Sequence, residues 1–314
     1  MALATRVAVL IGGVGGAKLA SGLMHVVAPE RLTFIVNTGD DFWRLGLKIC
    51  PDLDTVMYTL AGLVNRETGW GIAGDETAVM DSLEGHYGVE PWFRLGDKDL
   101  ATHLLRAQGL RQGNSLTEVT DCLARRLGVS ARLLPMCDEE TPTLVDTADR
   151  GELGFQEYFV KHSWRPIVKS IKHKDCEKAT MSAPVSSALE TADVILIAPS
   201  NPWLSVAPIL AVPGMRQALK RADAPVVAIT PIIAGAAVKG PTAKIMAELG
   251  LPVSEAAVAR FYGGIIDGFV NDIRNEPLRV EGIRAVRLNT LMTDDAAKAA
   301  LARDALDWIA GWAA

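Results

Sequence analysis

The chain has 314 residues, 49% of them hydrophobic and 22% charged, which is long enough for one large α/β domain or two smaller ones around a substantial core. Lys and Arg number 32 against 37 Asp and Glu, and the resulting net charge of −5 lacks the basic footprint of a nucleic-acid binder. There is no charged-then-apolar leader and no unbroken apolar run near the roughly 20 residues that span a bilayer, and Cys50, Cys122, Cys137 and Cys176 have neither zinc nor CxxC spacing, so the expectation is a cytoplasmic protein with free thiols.

In chain order, the first element is a run of β-formers, Val7 to Ile11, that breaks into Gly12, Gly13, Gly15 and Gly16 and then becomes a small-residue helix reaching residue 27. Such a strand, glycine turn and helix start offers backbone N–H groups and a partial positive charge to an anion. Neither familiar glycine motif is complete. Lys18 stands where the dinucleotide fingerprint has its third glycine, and, read as a P-loop, Ala17 and Leu19 replace the glycine and the metal-binding hydroxyl. A tight turn that only packs a helix on a sheet is the alternative.

A second apolar run, Leu32 to Val36, leads to Asn37-Thr38-Gly39-Asp40-Asp41, and then to Pro51-Asp52-Leu53-Asp54-Thr55, where a helix from Asp54 to Leu63 is expected. Four carboxylates beside a phosphate-suited loop point to a hard divalent cation bridging to phosphate oxygens. Magnesium takes one or two of them, and Asp40 or Asp52 reads equally well as a capping residue. The stretch from residue 68 to 180 interrupts the strand-helix alternation. It holds Trp70 and Trp92 around a short helix, amphipathic helices at 97–108 and 116–127, and short strands near Pro135 and Ile167, so it reads as an inserted cap. Alternation resumes with a buried strand from Val194 that delivers Pro199-Ser200-Asn201-Pro202, then with Val226 to Thr230 and Lys239-Gly240-Pro241 opening a helix. Strands at 265–270 and 285–288 and a closing helix at 296–313 follow. The predicted fold is α/β, a doubly wound, mostly parallel Rossmann-like sheet, with residues 1–67 and 181–314 as the nucleotide-binding core and 68–180 as a mainly helical insertion.

The glycine turn with Ala17-Lys18, Asn37-Thr38-Gly39-Asp40-Asp41, Pro51-Asp52-Leu53-Asp54-Thr55, Trp92-Phe93-Arg94-Leu95-Gly96-Asp97-Lys98-Asp99, Phe155-Gln156-Glu157-Tyr158-Phe159-Val160, Pro199-Ser200-Asn201-Pro202 and Lys239-Gly240-Pro241-Thr242-Ala243-Lys244 together resemble the 2-phospho-L-lactate transferase family of deazaflavin coenzyme F-420 biosynthesis. The resemblance implies transfer of a phospho-carboxylic-acid group (lactyl, enolpyruvyl or glyceryl) from a guanosine-diphosphate-linked donor to the deazaflavin acceptor 7,8-didemethyl-8-hydroxy-5-deazariboflavin, with release of GMP. One sequence leaves the three-carbon acid open, because such groups differ by roughly 1–3 kcal/mol of pocket contacts.

For that reaction the expected parts are the backbone at Gly12, Gly13, Gly15 and Gly16 with Lys18 on the diphosphate, and magnesium on Asp41 and Asp54. Asp40 is expected as a water-mediated metal partner or as the base, so Asp40, Asp41 and Asp54 form the catalytic set. Asn37, Thr38 and Lys239 join the phosphate-contacting set. Ser200 and Asn201 are expected to read the guanine, since no Asn-Lys-x-Asp occurs, and Trp92 and His103 to face the acceptor. A homodimer is one expectation for the assembly, and neither membrane nor nucleic acid is expected as a partner. A nucleotide-sugar-binding regulator of the same superfamily is the alternative. The run Phe42-Trp43-Arg44-Leu45-Gly46 after Asp41, in place of a Gly-Gly-Ser-Ser-Gly type segment, sides with the transferase. A nicotinamide-dependent oxidoreductase is disfavoured by Lys18 and by the acidic cluster.

Overall fold

A computed structural model describes residues 5–234, 236–237 and 240–312. Seven strands form one parallel sheet: β1 (Val7–Ile11), β2 (Leu32–Val36), β3 (Arg132–Pro135), β4 (Val194–Ile197), β5 (Val226–Ile229), β6 (Gly268–Asp272) and β7 (Arg284–Leu288). Their order across the sheet is β7-β6-β5-β4-β1-β2-β3, which is the doubly wound order with its reversal between β1 and β4. The central strands are buried on both faces, which is why they read as unbroken Val, Ile and Leu runs rather than as alternating patterns. Edge strand β7 is largely exposed and carries Arg284 and Arg287, charges that discourage pairing with another chain.

Alternate residues of β1 serve opposite layers. Val7, Val9 and Ile11 pack with α1 (Gly13–Met24) and α2 (Pro51–Leu60), whereas Ala8 and Leu10 face the layer that contains Val145, Tyr158, Val185 and Ile245. Helix α1 also lies hard against the closing helix at Asp295–Ala310, so close that a Cβ on Gly22 would come within 2.2 Å of the Lys298 carbonyl.

Helix α2 starts at Pro51, which suits the first helical position because its missing N–H would have no partner there, and not at Asp54 as expected. Asp52 and Asp54 therefore both sit in its first turn. Strand β3, within the stretch predicted as an insertion, pairs in parallel with β2, so the main sheet itself runs through residues 68–180. The rest of that stretch supplies α3 (Ala78–Tyr87), α4 (Asp97–Arg111), α5 (Leu116–Arg126) with a Ser115/Glu118 capping box, and an antiparallel sheet of Thr143–Thr147, Gly151–Gly154 and Val168–His173. A hairpin, Phe42–Arg44 with Leu47–Ile49, turns through Leu45 and Gly46, both at positive φ, the pair of left-handed residues that a tight hairpin demands. Among the described residues no helix is long and apolar enough to cross a membrane.

Candidate active site

The C-terminal ends of β1, β2, β4 and β5, together with the loop after β7, open into one cleft of about 770 Å³ at the reversal point of the sheet. Gly12, Gly13, Gly15, Lys18, Asp40, Asp54, Trp92, His103, Ser200 and Asn201 line it, and so do Asp52 and Asp99. Gly16, Asn37, Thr38 and Asp41 lie behind its wall, and Lys239 lies outside the described residues.

The glycines are required by close packing. A Cβ on Gly15 would sit 2.5 Å from the Pro199 carbonyl oxygen, and one on Gly16 would meet Ile11 and Ser200 at 2.5 and 2.8 Å. Two backbone groups predicted to face an anion are engaged by the protein itself. The Gly12 N–H donates to Ser200 Oγ at 3.2 Å, and Ser200 Oγ–H returns a bond of 2.6 Å to the Gly12 carbonyl. The Gly13 N–H, at the positive end of α1, donates to Asp52 Oδ1 at 2.8 Å. Asp52 thus caps a helix, but α1 rather than its own.

Asn37 ties this cap to the next carboxylate. Its Oδ1 accepts from the Gly39 N–H at 2.9 Å, which turns its amide nitrogen toward Asp40 Oδ1 and Asp52 Oδ2, both at 2.9 Å. Burial, and next the charge of Asp52, raises the Asp40 pKa well above the usual range. Burial also pushes Asp52 up to about 6, against the pull of its bonds from Asn37 and Gly13. Two buried carboxylates clamped by one amide titrate as a pair, in which ionisation of one opposes ionisation of the other.

A second network joins α2 to α4. Asp54 and Tyr58 on α2 face Asp99, His103 and Arg106 on α4, residues spaced to fall on one face of each helix. Arg106 is 1% exposed, and its guanidinium fork grips both oxygens of Asp54, the Nη1 arm at 3.1 Å from Oδ2 and the Nη2 arm on Oδ1. Nη1 also lies 3.1 Å from His103 Nδ1. Arginine only donates, so Nδ1 accepts and the proton of a neutral ring sits on Nε2, which faces Asp99 Oδ2 at 3.2 Å. Tyr58 O–H donates to Asp99 Oδ1 at 2.6 Å. Burial opposes ionisation of Asp99, but the facing His103 ring, the Tyr58 hydrogen bond and the Arg106 charge hold its pKa below normal.

Asp41 is less well partnered than these carboxylates. It is 8% exposed, and neither carboxylate oxygen has a hydrogen-bond partner. Burial pushes it up to about 7, although the charge of Lys48, the neighbouring Cys50 thiol and the charge of Arg106 pull the other way. Two orphaned buried oxygens are what a hard cation would satisfy, but Asp41 does not line the cleft, and Arg106 holds both oxygens of Asp54, which does, so this pair does not form an open magnesium site. Among the described residues the ligand atoms that converge within 4.8 Å are those of Asp54, Asp99 and His103, a group that does not include Asp41.

The remaining predicted residues divide by their partners. Lys18 Nζ donates to the Met292 carbonyl at 3.1 Å. Asn201 Oδ1 caps the turn at Trp203 and Leu204, which leaves its amide nitrogen buried without a partner, while Thr38 Oγ1 is likewise unpartnered. Trp92 is held in a cluster with Phe42 and Phe93, and its ring carries Arg44 at 5.0 Å and Lys161 at 5.9 Å. Trp70 and Trp164, also on the cleft, expose 58% and 40% of their surface. Trp164 follows a π-helical turn (Glu157–Lys161) and, with Ser163, is at positive φ, a strained conformation for a bulky residue.

Fold and site together define a Rossmann-like α/β protein with a carboxylate-rich, aromatic-walled cleft at its switch point. The chain belongs to the 2-phospho-L-lactate transferase family, because the family model described as "2-phospho-L-lactate transferase CofD" matches residues 7–304. It is 44% identical over 311 residues to a phosphoenolpyruvate transferase of Streptomyces griseus, a match that covers 96% of this chain and 98% of the relative. A protein of the same name from Mycolicibacterium smegmatis is 39% identical over 322 residues, again covering 96% of this chain and 98% of the relative. The chain is therefore an enzyme of coenzyme F-420 biosynthesis that transfers a phosphate-containing group. An X-ray structure of a Bacillus halodurans protein, 19% identical, superposes with a TM-score of 0.61 over 96% of this chain and 99% of that one, a likeness of fold.

Proposed function

We propose that the enzyme moves a phosphoenolpyruvyl group from a guanosine-diphosphate-linked donor to the terminal ribityl hydroxyl of 7,8-didemethyl-8-hydroxy-5-deazariboflavin and releases GMP. One observation carries the choice of the enolpyruvyl donor over the lactyl or glyceryl one. Relatives that are 44% and 39% identical along 98% of their own lengths bear the name phosphoenolpyruvate transferase. The cleft is compatible with such an acceptor, since Trp70, Trp164, Phe93 and Phe159 offer apolar faces to a fused ring while the polar floor lies at Asp40 and Asp52.

In the reaction the acceptor oxygen attacks the phosphorus that bears the enolpyruvyl group, the bridging P–O bond to GMP breaks, and the hydroxyl proton passes to a base. The ionised member of the Asp40/Asp52 pair takes that proton at a carboxylate oxygen, and the Asn37 amide holds both side chains in place to do so. Of the two carboxylates expected to hold magnesium only Asp54 lines the cleft, and magnesium held there would offset charge on the diphosphate. Lys18 adds a cation at the same end of the cleft, and the unpartnered Asn201 amide offers a hydrogen-bond donor to the nucleotide.

The test is to incubate the protein with the deazaflavin and each of the three donors, and to follow GMP release and product mass. The enolpyruvyl product should form fastest, and faster formation of the lactyl or glyceryl product would overturn the donor assignment.

A further inference from the structure

A further buried polar network ties together the chain that leaves β6 and the chain that leaves β7. Asp272, the last residue of β6, is fully buried, and its own N–H donates to Glu255 Oε1 at 3.1 Å. Its Oδ1 accepts from the Arg274 N–H at 2.9 Å, and both of its oxygens accept from Arg274 Nη1, at 3.0 and 2.9 Å. Oδ2 also accepts from the backbone N–H and the hydroxyl of Thr290, at 2.9 and 2.8 Å, while Arg274 Nη2 reaches Asn289 Oδ1 at 3.0 Å. Burial opposes ionisation of Asp272, but the bonds from Arg274 and Thr290 hold its pKa below normal, so a carboxylate stands there at neutral pH. A buried charge persists only where such donors surround it, and here the donors come from the loop after β7 and from Arg274, which holds that loop as well.

That loop is a wall of the cleft. Thr290, Leu291 and Met292 line it, whereas neither Asp272 nor Arg274 does, and the Met292 carbonyl accepts from Lys18 Nζ, which reaches it from α1. A lysine ammonium rides on a flexible four-carbon stem, and holding it in one place costs side-chain entropy. A carbonyl orients the ammonium without cancelling its charge, as a carboxylate would. A loop fixed in advance moves that entropy cost from ligand binding to folding. We propose that Asp272 is a positioning residue for the diphosphate of the donor: by fixing Thr290 it sets the Met292 carbonyl, and through that carbonyl the Lys18 ammonium, at the anion-binding end of the cleft. Asp272 touches no substrate on this account, and the inference rests on the proposed transferase reading, in which Lys18 meets the diphosphate.

The experiment is a double-mutant cycle on GDP affinity, read by isothermal titration calorimetry of the intact protein in one buffer with magnesium present throughout. Asp272→Asn keeps the shape but turns an amide donor toward Arg274 or Thr290, so the loop is released and GDP binding should weaken by about fivefold. Lys18→Met, which removes the ammonium, should weaken it by about tenfold. In the Lys18→Met background Asp272→Asn should cost less than about a further twofold, because no ammonium is left to place. A merely structural Asp272 would lower Tm and weaken GDP binding by the same factor with or without Lys18. If circular dichroism shows that Asp272→Asn does not fold, Arg274→Ala, on a partly exposed side chain outside the cleft, takes its place and should show the same dependence on Lys18.

Additive losses in the double variant would overturn the proposal. So would a folded Asp272→Asn or a Lys18→Met protein that binds GDP as tightly as wild type. Wild type that binds no GDP would overturn the transferase reading and this inference with it, whereas binding by wild type with additive losses would overturn the inference alone.

Discussion

Asp41→Asn separates the cost of a buried carboxylate from its use. In the folded protein Asp41 has a pKa of about 7 against 3.8 for the free group, with burial as the main cause. Because the folded value is the higher one, the stability this group contributes is complete below the unfolded pKa and is lost as pH rises through about 7. At pH 8, with no metal, an ionised Asp41 therefore costs on the order of 4 kcal/mol. Asparagine keeps the shape and removes the charge, but it buries an amide donor that itself wants a partner, at about 1–3 kcal/mol. The net gain should be about 1–3 kcal/mol, or a rise of a few degrees in Tm at roughly 2–4 °C per kcal/mol. At pH 5 wild-type Asp41 is protonated and the gain should vanish. Calorimetry of both proteins in metal-free buffer at pH 5 and pH 8 reads this directly. The same Tm difference at both pH values would refute the reasoning.

Gly15→Ala should destabilise the fold by about 1–3 kcal/mol in a urea melt, because the new methyl group meets the Pro199 carbonyl oxygen, a backbone atom that has little room to move. Trp164→Ala should raise KM for the deazaflavin by about tenfold with little change in the donor KM, whereas Trp92→Ala, which removes a packed ring from the Phe42 and Phe93 cluster, should lower Tm as well; steady-state kinetics and melting curves separate the two. The pH–rate profile should rise through about pH 6 as Asp52 ionises and the Asp40/Asp52 pair loses the first of its two protons, and Asn37→Ala, which releases both carboxylates, should displace that limb.

The central strands were legible because a strand buried on both faces needs an apolar run, and such runs end at Gly12, Asn37 and Pro199. Strand β3 was harder to read. At four residues, on the sheet edge and followed by irregular chain, Arg132–Pro135 carries no sign that it returns to β2 across nearly a hundred residues. The start of α2 was present in Pro51 but was outweighed by the pull of Asp54 and Thr55 as a capping pair. The acidic residues were found one by one, but their partners were not. Asp54 with Tyr58 and Asp99 with His103 and Arg106 have the three- and four-residue spacing of helix faces, yet which face of α4 meets α2 is decided by tertiary packing. The same holds for the glycine turn, whose first two amides are taken by Ser200, 188 residues away from Gly12 along the chain, and by Asp52.

The most direct measurement of the central claim is a deazaflavin fluorescence titration of the purified protein, with and without magnesium and GDP, beside a matched titration with a UDP-sugar. Saturable deazaflavin binding, strengthened by magnesium and GDP and with no response to the UDP-sugar, is the predicted result. Binding of the UDP-sugar without binding of the deazaflavin would contradict the account.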